Sequence, residues 1–167
     1  MDESQAGRQH EPHASPMHLF AEGSAVERWS VSRALLIREP WASMILSGTK
    51  RWEIRSTSTS IRGPIAIAAG GTGTIVGVCN VVGVRGPLSV DDYAQSWKLR
   101  GEDRPGSRLL PYARTYAWVL SDLQALRSRV PYRHPSGAVI WVKLPPDVQE
   151  ALRESLERNA GYPRSAG

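Results

Sequence analysis

Ile37-Arg38-Glu39-Pro40-Trp41-Ala42-Ser43-Met44-Ile45-Leu46-Ser47-Gly48-Thr49-Lys50-Arg51-Trp52-Glu53-Ile54-Arg55 packs a strand end, a short helix and a second strand into nineteen residues. Pro40 suits a first helical position, where its missing N–H would be unpaired anyway, and Gly48 suits the left-handed residue that closes a helix. Between them Trp41, Met44 and Ile45 fall at i, i+3 and i+4, an apolar stripe by which the helix is expected to dock on a core. Lys50 to Arg55 then reads as a strand, with Trp52 and Ile54 on one face and Arg51, Glu53 and Arg55 on the other. Four charged residues in six are more than a plain buried strand carries.

Outward from this stretch the chain reads mostly as strands. Leu35 to Ile37, Pro64 to Ala69, Thr74 to Val84, Thr115 to Leu120 and Ala138 to Leu144 are short β-prone runs bounded by Gly and Pro. Such spacing suits a small closed or nearly closed barrel, which removes exposed sheet edges. A helix is expected from Ser89 to about Leu99, with Ser89 as cap and Asp91 and Asp92 in the first turn. Arg100 to Pro111 is polar and rich in Gly and Pro, so it reads as a mobile loop. A last helix should start at Pro146-Asp147, pack through Val148, Ala151, Leu152 and Leu156, and end near Asn159-Ala160-Gly161.

The 167 residues, 41% of them hydrophobic, are enough for one domain with a real core. Residues 31–160 read as that domain, 1–30 as a disordered tail and 161–167 as a flexible end. The tail lacks periodicity and the charged-then-apolar build of a signal peptide. Deleting it is therefore expected to leave the melting temperature nearly unchanged in a thermal scan. No apolar run approaches the roughly 20 residues of a membrane span. A single cysteine, Cys79, rules out an internal disulfide framework and points to a reducing cytoplasm. It sits in an apolar run, as an inert core thiol would. His10, His13 and His18 lie in the tail without a Cys, which leaves His134 alone in the domain, so neither metal nor cofactor is expected.

Charge is uneven. The net +5 divides into −3 for residues 1–30 and +8 for the rest, and 18 of the 21 basic residues are Arg. A basic domain is a candidate for binding polyanions, although arginine-rich composition gives the same balance without a partner. Six Trp and five Tyr against one Phe favour rings with a polar handle, of use at wet, base-stacking surfaces.

Gly48, Lys50, Glu53 and Arg55 spell G-x-K-x-x-E-x-R, and with the Pro40-Trp41-Ala42 helix start and Ile61-Arg62-Gly63-Pro64 before Ile65-Ala66-Ile67-Ala68 they resemble the ASCH domain (activating signal cointegrator homology). The resemblance runs from about Leu35 to Leu144. It implies an α+β, mainly β fold: a PUA-like small β-barrel with a short helix after the first strand and flanking helices. The segments Tyr116 to Ser121 and Pro131 to Trp141 also look like the later strands of the related EVE and YTH readers, which bind a modified base in a pocket on the barrel. Ser121, Tyr132 and His134 would then line its rim.

Lys50 and Arg55 near the start of the Pro40 helix would hold a phosphate, Glu53 would accept from a base N–H, and Trp41 would stack on a flipped base. Lys50, Arg55 and Arg62 are expected to form one positive patch. Lys50 and Glu53, three apart, would face opposite sides of a regular strand, so a bulge or the turn must re-aim one of them. The competing account of Glu53 is an ion network with Arg55 or Arg62 that orients the loop. Trp52, Trp118 and Trp141 read as core.

These residues point to a nucleic-acid-binding module for RNA or a modified nucleotide, held in a basic cleft between the Pro40 helix and the Lys50 strand by Trp41, Lys50, Glu53, Arg55, Arg62, Tyr132 and His134. The alternative is a hydrolase. Family members that deacylate acetylated cytidine use a Lys and a Thr of the signature and a later Glu; here Glu53 stands at the Thr position and Thr74 to Val84 holds no carboxylate. A ribonuclease would use Lys50 for charge stabilisation with Ser121 or Tyr132 as the proton-transferring group, and the candidate catalytic residues of an enzyme are Lys50, Glu53 and Ser121. A third reading, a coactivator interaction domain, follows from the family name. Glu53 is expected to keep Lys50 protonated, which weighs against catalysis.

Overall fold

The computed structural model describes residues 29–106 and 108–161. The expectations for residues 1–28, with their three histidines, and for residues 162–167 lie outside them. Nine elements follow in order: β1 (Arg33–Ile37), α1 (Trp41–Leu46), β2 (Trp52–Arg55), β3 (Gly63–Ala69), β4 (Thr74–Arg85), α2 (Val90–Gln95), β5 (Tyr116–Pro131), β6 (Trp141–Lys143) and α3 (Pro146–Ala160).

One six-stranded sheet, in the order β2-β5-β4-β3-β1-β6, curls into a half-barrel with β2 and β6 at its edges. β1 runs parallel to β3, and the β3–β4 and β4–β5 pairs are antiparallel. β3 shows why its sequence is apolar throughout: it is buried on both faces. Ile65 and Ile67 belong to one core, with Leu35, Ile45 and Trp118. Ala66 and Ala68 belong to the other, under Val148, Leu152 and Leu156 of α3. Small side chains on that face let the helix lie close, as layered packing requires. Cys79 is fully buried in the first core, and burial pushes its thiol pKa up to about 12, far from nucleophilic use.

α3 begins at Pro146 with Asp147 in its first turn, as its sequence predicts. α2 is capped by the Ser89 side chain accepting from the Asp92 N–H, but ends at Gln95, before the expected Leu99. β5 corrects its expectation more. It continues eleven residues past Leu120, paired with β4 through three register shifts. Asp122, at φ 50, is one irregular point along it. Trp29, within the segment read as a tail, is buried in the α3-side core, so removing all of residues 1–30 takes away a core side chain and should lower the melting temperature.

α1 docks differently from its apolar stripe. Ala42 and Ile45 are buried, whereas Trp41 is 49% exposed. The cause lies in β4. A Cβ on Gly77 would come within 2.3 Å of Leu46 Cδ2, so the bare backbone there receives Leu46 and fixes the helix roll. Trp41 is thereby turned out of the core.

Candidate functional site

Gly48, at φ 82, reverses the chain after α1, and the Lys50 N–H donates to the Met44 carbonyl at 2.9 Å. The next two amides, of Arg51 and Trp52, both donate to the Leu99 carbonyl at 2.8 Å, and β2 starts only at Trp52. Lys50 therefore belongs to the turn and not to the strand. This resolves the facing problem of Lys50 and Glu53 without a bulge.

On β2, Glu53 stands opposite Trp118 and Arg55 opposite Tyr116, so the charged face of the strand is the inward one. Lys50 Nζ donates to the Trp52 carbonyl at 2.6 Å and lies 3.5 Å from Glu53 Oε2. Arg55 Nη2 donates to the Leu36 carbonyl at 2.8 Å, tying the β2 edge to β1 across the open side of the half-barrel. Its Nε lies 3.1 Å from Glu53 Oε1, close enough for an ion pair but misaligned for a hydrogen bond. That buried Arg55 Nε–H has no hydrogen-bond partner. Glu53 thus sits between two cations, as the ion-network account of its role requires. Arg62 takes no part in it: it donates to the Thr59 and Ile61 carbonyls.

Lys50 is only 5% exposed. Burial pulls its pKa below the ordinary lysine value; Glu53 opposes that, and the nearby Arg100 and Arg55 reinforce it. The sequence-based expectation that Glu53 keeps Lys50 protonated thus meets an opposing burial whose extent only the fold reveals.

Trp41, Lys50, Glu53, Arg55, Tyr132 and His134 line one cavity of about 1350 Å³. Arg62 and Ser121 do not line it. Ser121 Oγ instead donates to Asp122 Oδ2 at 3.0 Å, which engages the hydroxyl that the hydrolase reading would require. His134 Nε2 is 3.0 Å from the Ala138 carbonyl, an acceptor only, so Nε2 carries the proton. Nδ1 then accepts from the Tyr132 hydroxyl at 3.3 Å, and burial raises the Tyr132 pKa, which keeps that proton in place. The polar atoms of both side chains are thus hydrogen-bonded to one another and to the Ala138 carbonyl. The helix start is committed too, since the Ser43 N–H donates to Glu39 Oε2 at 3.1 Å; the expected phosphate contact with α1 amides has no open donor at Ser43.

Four further residues in the cavity wall, Tyr93, Arg100, Glu102 and Tyr112, escaped the sequence reading. Arg100 is buried in what reads as a mobile polar loop. The available signal was the Arg100-Gly101 step after a helix. Gly101 has φ 81, and a Cβ there would lie 2.7 Å from Met44 Cε and 3.0 Å from Lys50 Cβ. Gly101→Ala should cost about 1–3 kcal/mol in chemical denaturation, through the strained φ and the crowding of Lys50.

Residues 35–128, over half of the chain, match the ASCH domain family. The chain belongs to the ASCH domain family. Two crystal structures of ASCH proteins from Zymomonas mobilis share the fold: a single-site mutant at 17% identity and TM-score 0.52, covering 73% of this chain and 94% of that one, and an ASCH structure at 16% and 0.51, covering 73% and 93%. Among curated proteins none matches. Among the described residues of this ASCH chain, no helix is long and apolar enough to cross a membrane, and no cluster of His, Cys, Asp or Glu could hold a metal.

Proposed function

We propose that this ASCH domain binds single-stranded nucleic acid, RNA or a strand carrying a modified nucleotide, in the cavity beside α1 and the Lys50 turn. The observation that carries the reading is the coincidence, on one cavity wall, of Lys50, Arg55 with its unpartnered Nε–H, and the exposed ring of Trp41. Cations outnumber carboxylates by one among the lining residues, which favours an anionic guest. Lys50 Nζ carries three donors, gives one to the Trp52 carbonyl and turns another toward Glu53 Oε2 at 3.5 Å, which leaves one for a phosphate oxygen. Trp41 offers a face to a base, the sequence-tolerant contact of single-strand binders. Glu53, between the two cations, is the acceptor for a base amine.

Fluorescence anisotropy with a labelled single-stranded RNA tests this. Binding should weaken with salt, with a log–log slope of about 0.7 for each phosphate contact. Lys50→Met should lower that slope by about one contact and act alike on all sequences, while Trp41→Ala should cost about 1–3 kcal/mol of binding. Salt-independent binding would contradict the reading.

A hydrolase is the second reading, and burial of Lys50 is what favours it: a lysine of lowered pKa is a better base or nucleophile. Against it stand the engaged Ser121, Tyr132 and His134 and the absence of a carboxylate from β4. Turnover of N4-acetylcytidine or of a structured RNA, lost in Lys50→Met, would favour the hydrolase; no turnover is expected.

A further inference from the structure

Arg100 is held as if for a ligand. Its side chain is 3% exposed. Nη1 donates to Ser96 Oγ at 2.9 Å and to the Tyr93 carbonyl, and the guanidinium lies 3.8 Å over the Tyr93 ring. These contacts fix its plane from one side. The other side presents Nε and Nη2 as a parallel fork, and that fork is filled by Glu102, at 2.9 Å to Oε1 and 2.7 Å to Oε2.

A bidentate fork of this kind accepts a phosphate as readily as a carboxylate. The two partners are anchored unequally, for Glu102 is 37% exposed on the side chain while Arg100 is locked by three other groups. Gly106 adds a second observation. A Cβ there would lie 2.0 Å from Glu102 Oε2, so the carboxylate occupies the room that a side chain at 106 would need. Gly106 does not have a positive φ; it is the space, not the backbone, that calls for glycine. The fork belongs to the same cavity as Lys50, and Gly101, between Arg100 and Glu102, packs on the Lys50 stem.

We infer that the Arg100 fork is a phosphate subsite closed by Glu102, an internal anion that a backbone phosphate displaces when a nucleic-acid strand occupies the cavity. The inference rests on the nucleic-acid reading above. It gives the domain a selectivity: a strand whose second phosphate reaches Arg100 while the first meets Lys50 opens the fork, and a lone anion does not.

Two variants of the full chain separate this from a structural ion pair. Glu102→Gln removes the competing charge, whereas adding Gly106→Ala to it sets a methyl 3.1 Å from Arg100 Nη2, in the mouth of the fork, at the same net charge. Glu102→Gln should tighten binding of a single-stranded RNA decamer about tenfold, the worth of one charge-assisted contact, and steepen the salt slope by about 0.7, and the added Gly106→Ala should cancel both gains. In the wild-type protein uridine monophosphate should leave the fork closed; an Arg100 Nε–H resonance that the mononucleotide shifts as the decamer does would overturn the strand-phosphate assignment. Binding unchanged or weakened in Glu102→Gln would overturn the proposal, as would a gain that persists with Gly106→Ala added, which a bare charge effect produces. If the wild-type protein does not bind the RNA, the nucleic-acid reading has failed, and the fork is judged on inorganic phosphate. In Glu102→Gln, a shift of the Arg100 Nε–H resonance under millimolar phosphate then sustains the fork, and no shift overturns it.

Discussion

Glu53→Gln should destabilise the domain by about 3–5 kcal/mol, because it leaves Lys50 and Arg55 facing each other below the surface without their shared counter-charge. The substitution keeps the size of the side chain, so packing loss contributes little. Urea denaturation at neutral pH measures the effect, and a loss below 1 kcal/mol would mean that solvent or a rotation of Arg55 compensates. The pH dependence carries a definite sign. Lys50 has its folded pKa below the unfolded value, so the unfolded chain binds more protons between the two, and this group's contribution to stability rises with pH across that window. Below the folded pKa the burial penalty is felt in full; above the ordinary lysine value of 10.5 it is gone. Glu53 is the neighbour that raises the Lys50 pKa, so Glu53→Gln should extend the window downward in pH. Lys50→Met should abolish this rise, and a rise that persists in that variant would assign it to another group.

Trp118→Ala should cost about 3–5 kcal/mol and loosen the half-barrel. Trp118 stacks on Trp141 with ring centroids 5.5 Å apart, which joins β5, next to the β2 edge, to the β6 edge. Its Nε1 donates to the Thr57 carbonyl at 2.9 Å, and Arg55 lies 5.7 Å over its ring. Removing the indole would therefore open a cavity, leave the Thr57 carbonyl without this donor and free Arg55 at once. A melting temperature within a few degrees of wild type would show that the sheet holds its curl through backbone pairing alone.

The elements most legible in the sequence were those set by local chemistry. Gly48 had to close a helix, Pro146-Asp147 had to open one, and the apolar run of β3 had to be buried, and each is so found. Less legible were features set by distant partners. The second half of β5, Ser121 to Pro131, mixes Gln, Ala, Leu and Arg without a strand signature and is extended because β4 pairs with it. Trp41 read as part of a docking stripe, yet Gly77 on another strand decides the roll of α1 and leaves the ring outside. The site divides in the same way. Lys50, Glu53 and Arg55 were visible as charges in excess of what a strand needs. Arg100 and Glu102 were not, since only the fold lays their loop against Lys50. Arg62 shows the converse: it is near in sequence to the signature, but it lies outside the cavity wall and its Nη1 donates to carbonyls of its own loop.

The most direct test of the central claim is an NMR titration of the wild-type protein with a single-stranded RNA, read at the indole N–H resonances. Trp41, exposed at the cavity, and Trp118, buried with its N–H bonded to Thr57, serve as internal probe and reference. The account predicts a saturable shift of the Trp41 resonance, lost in Lys50→Met, with Trp118 nearly still. Saturable binding that leaves Trp41 unmoved, or no binding at physiological salt, would contradict it.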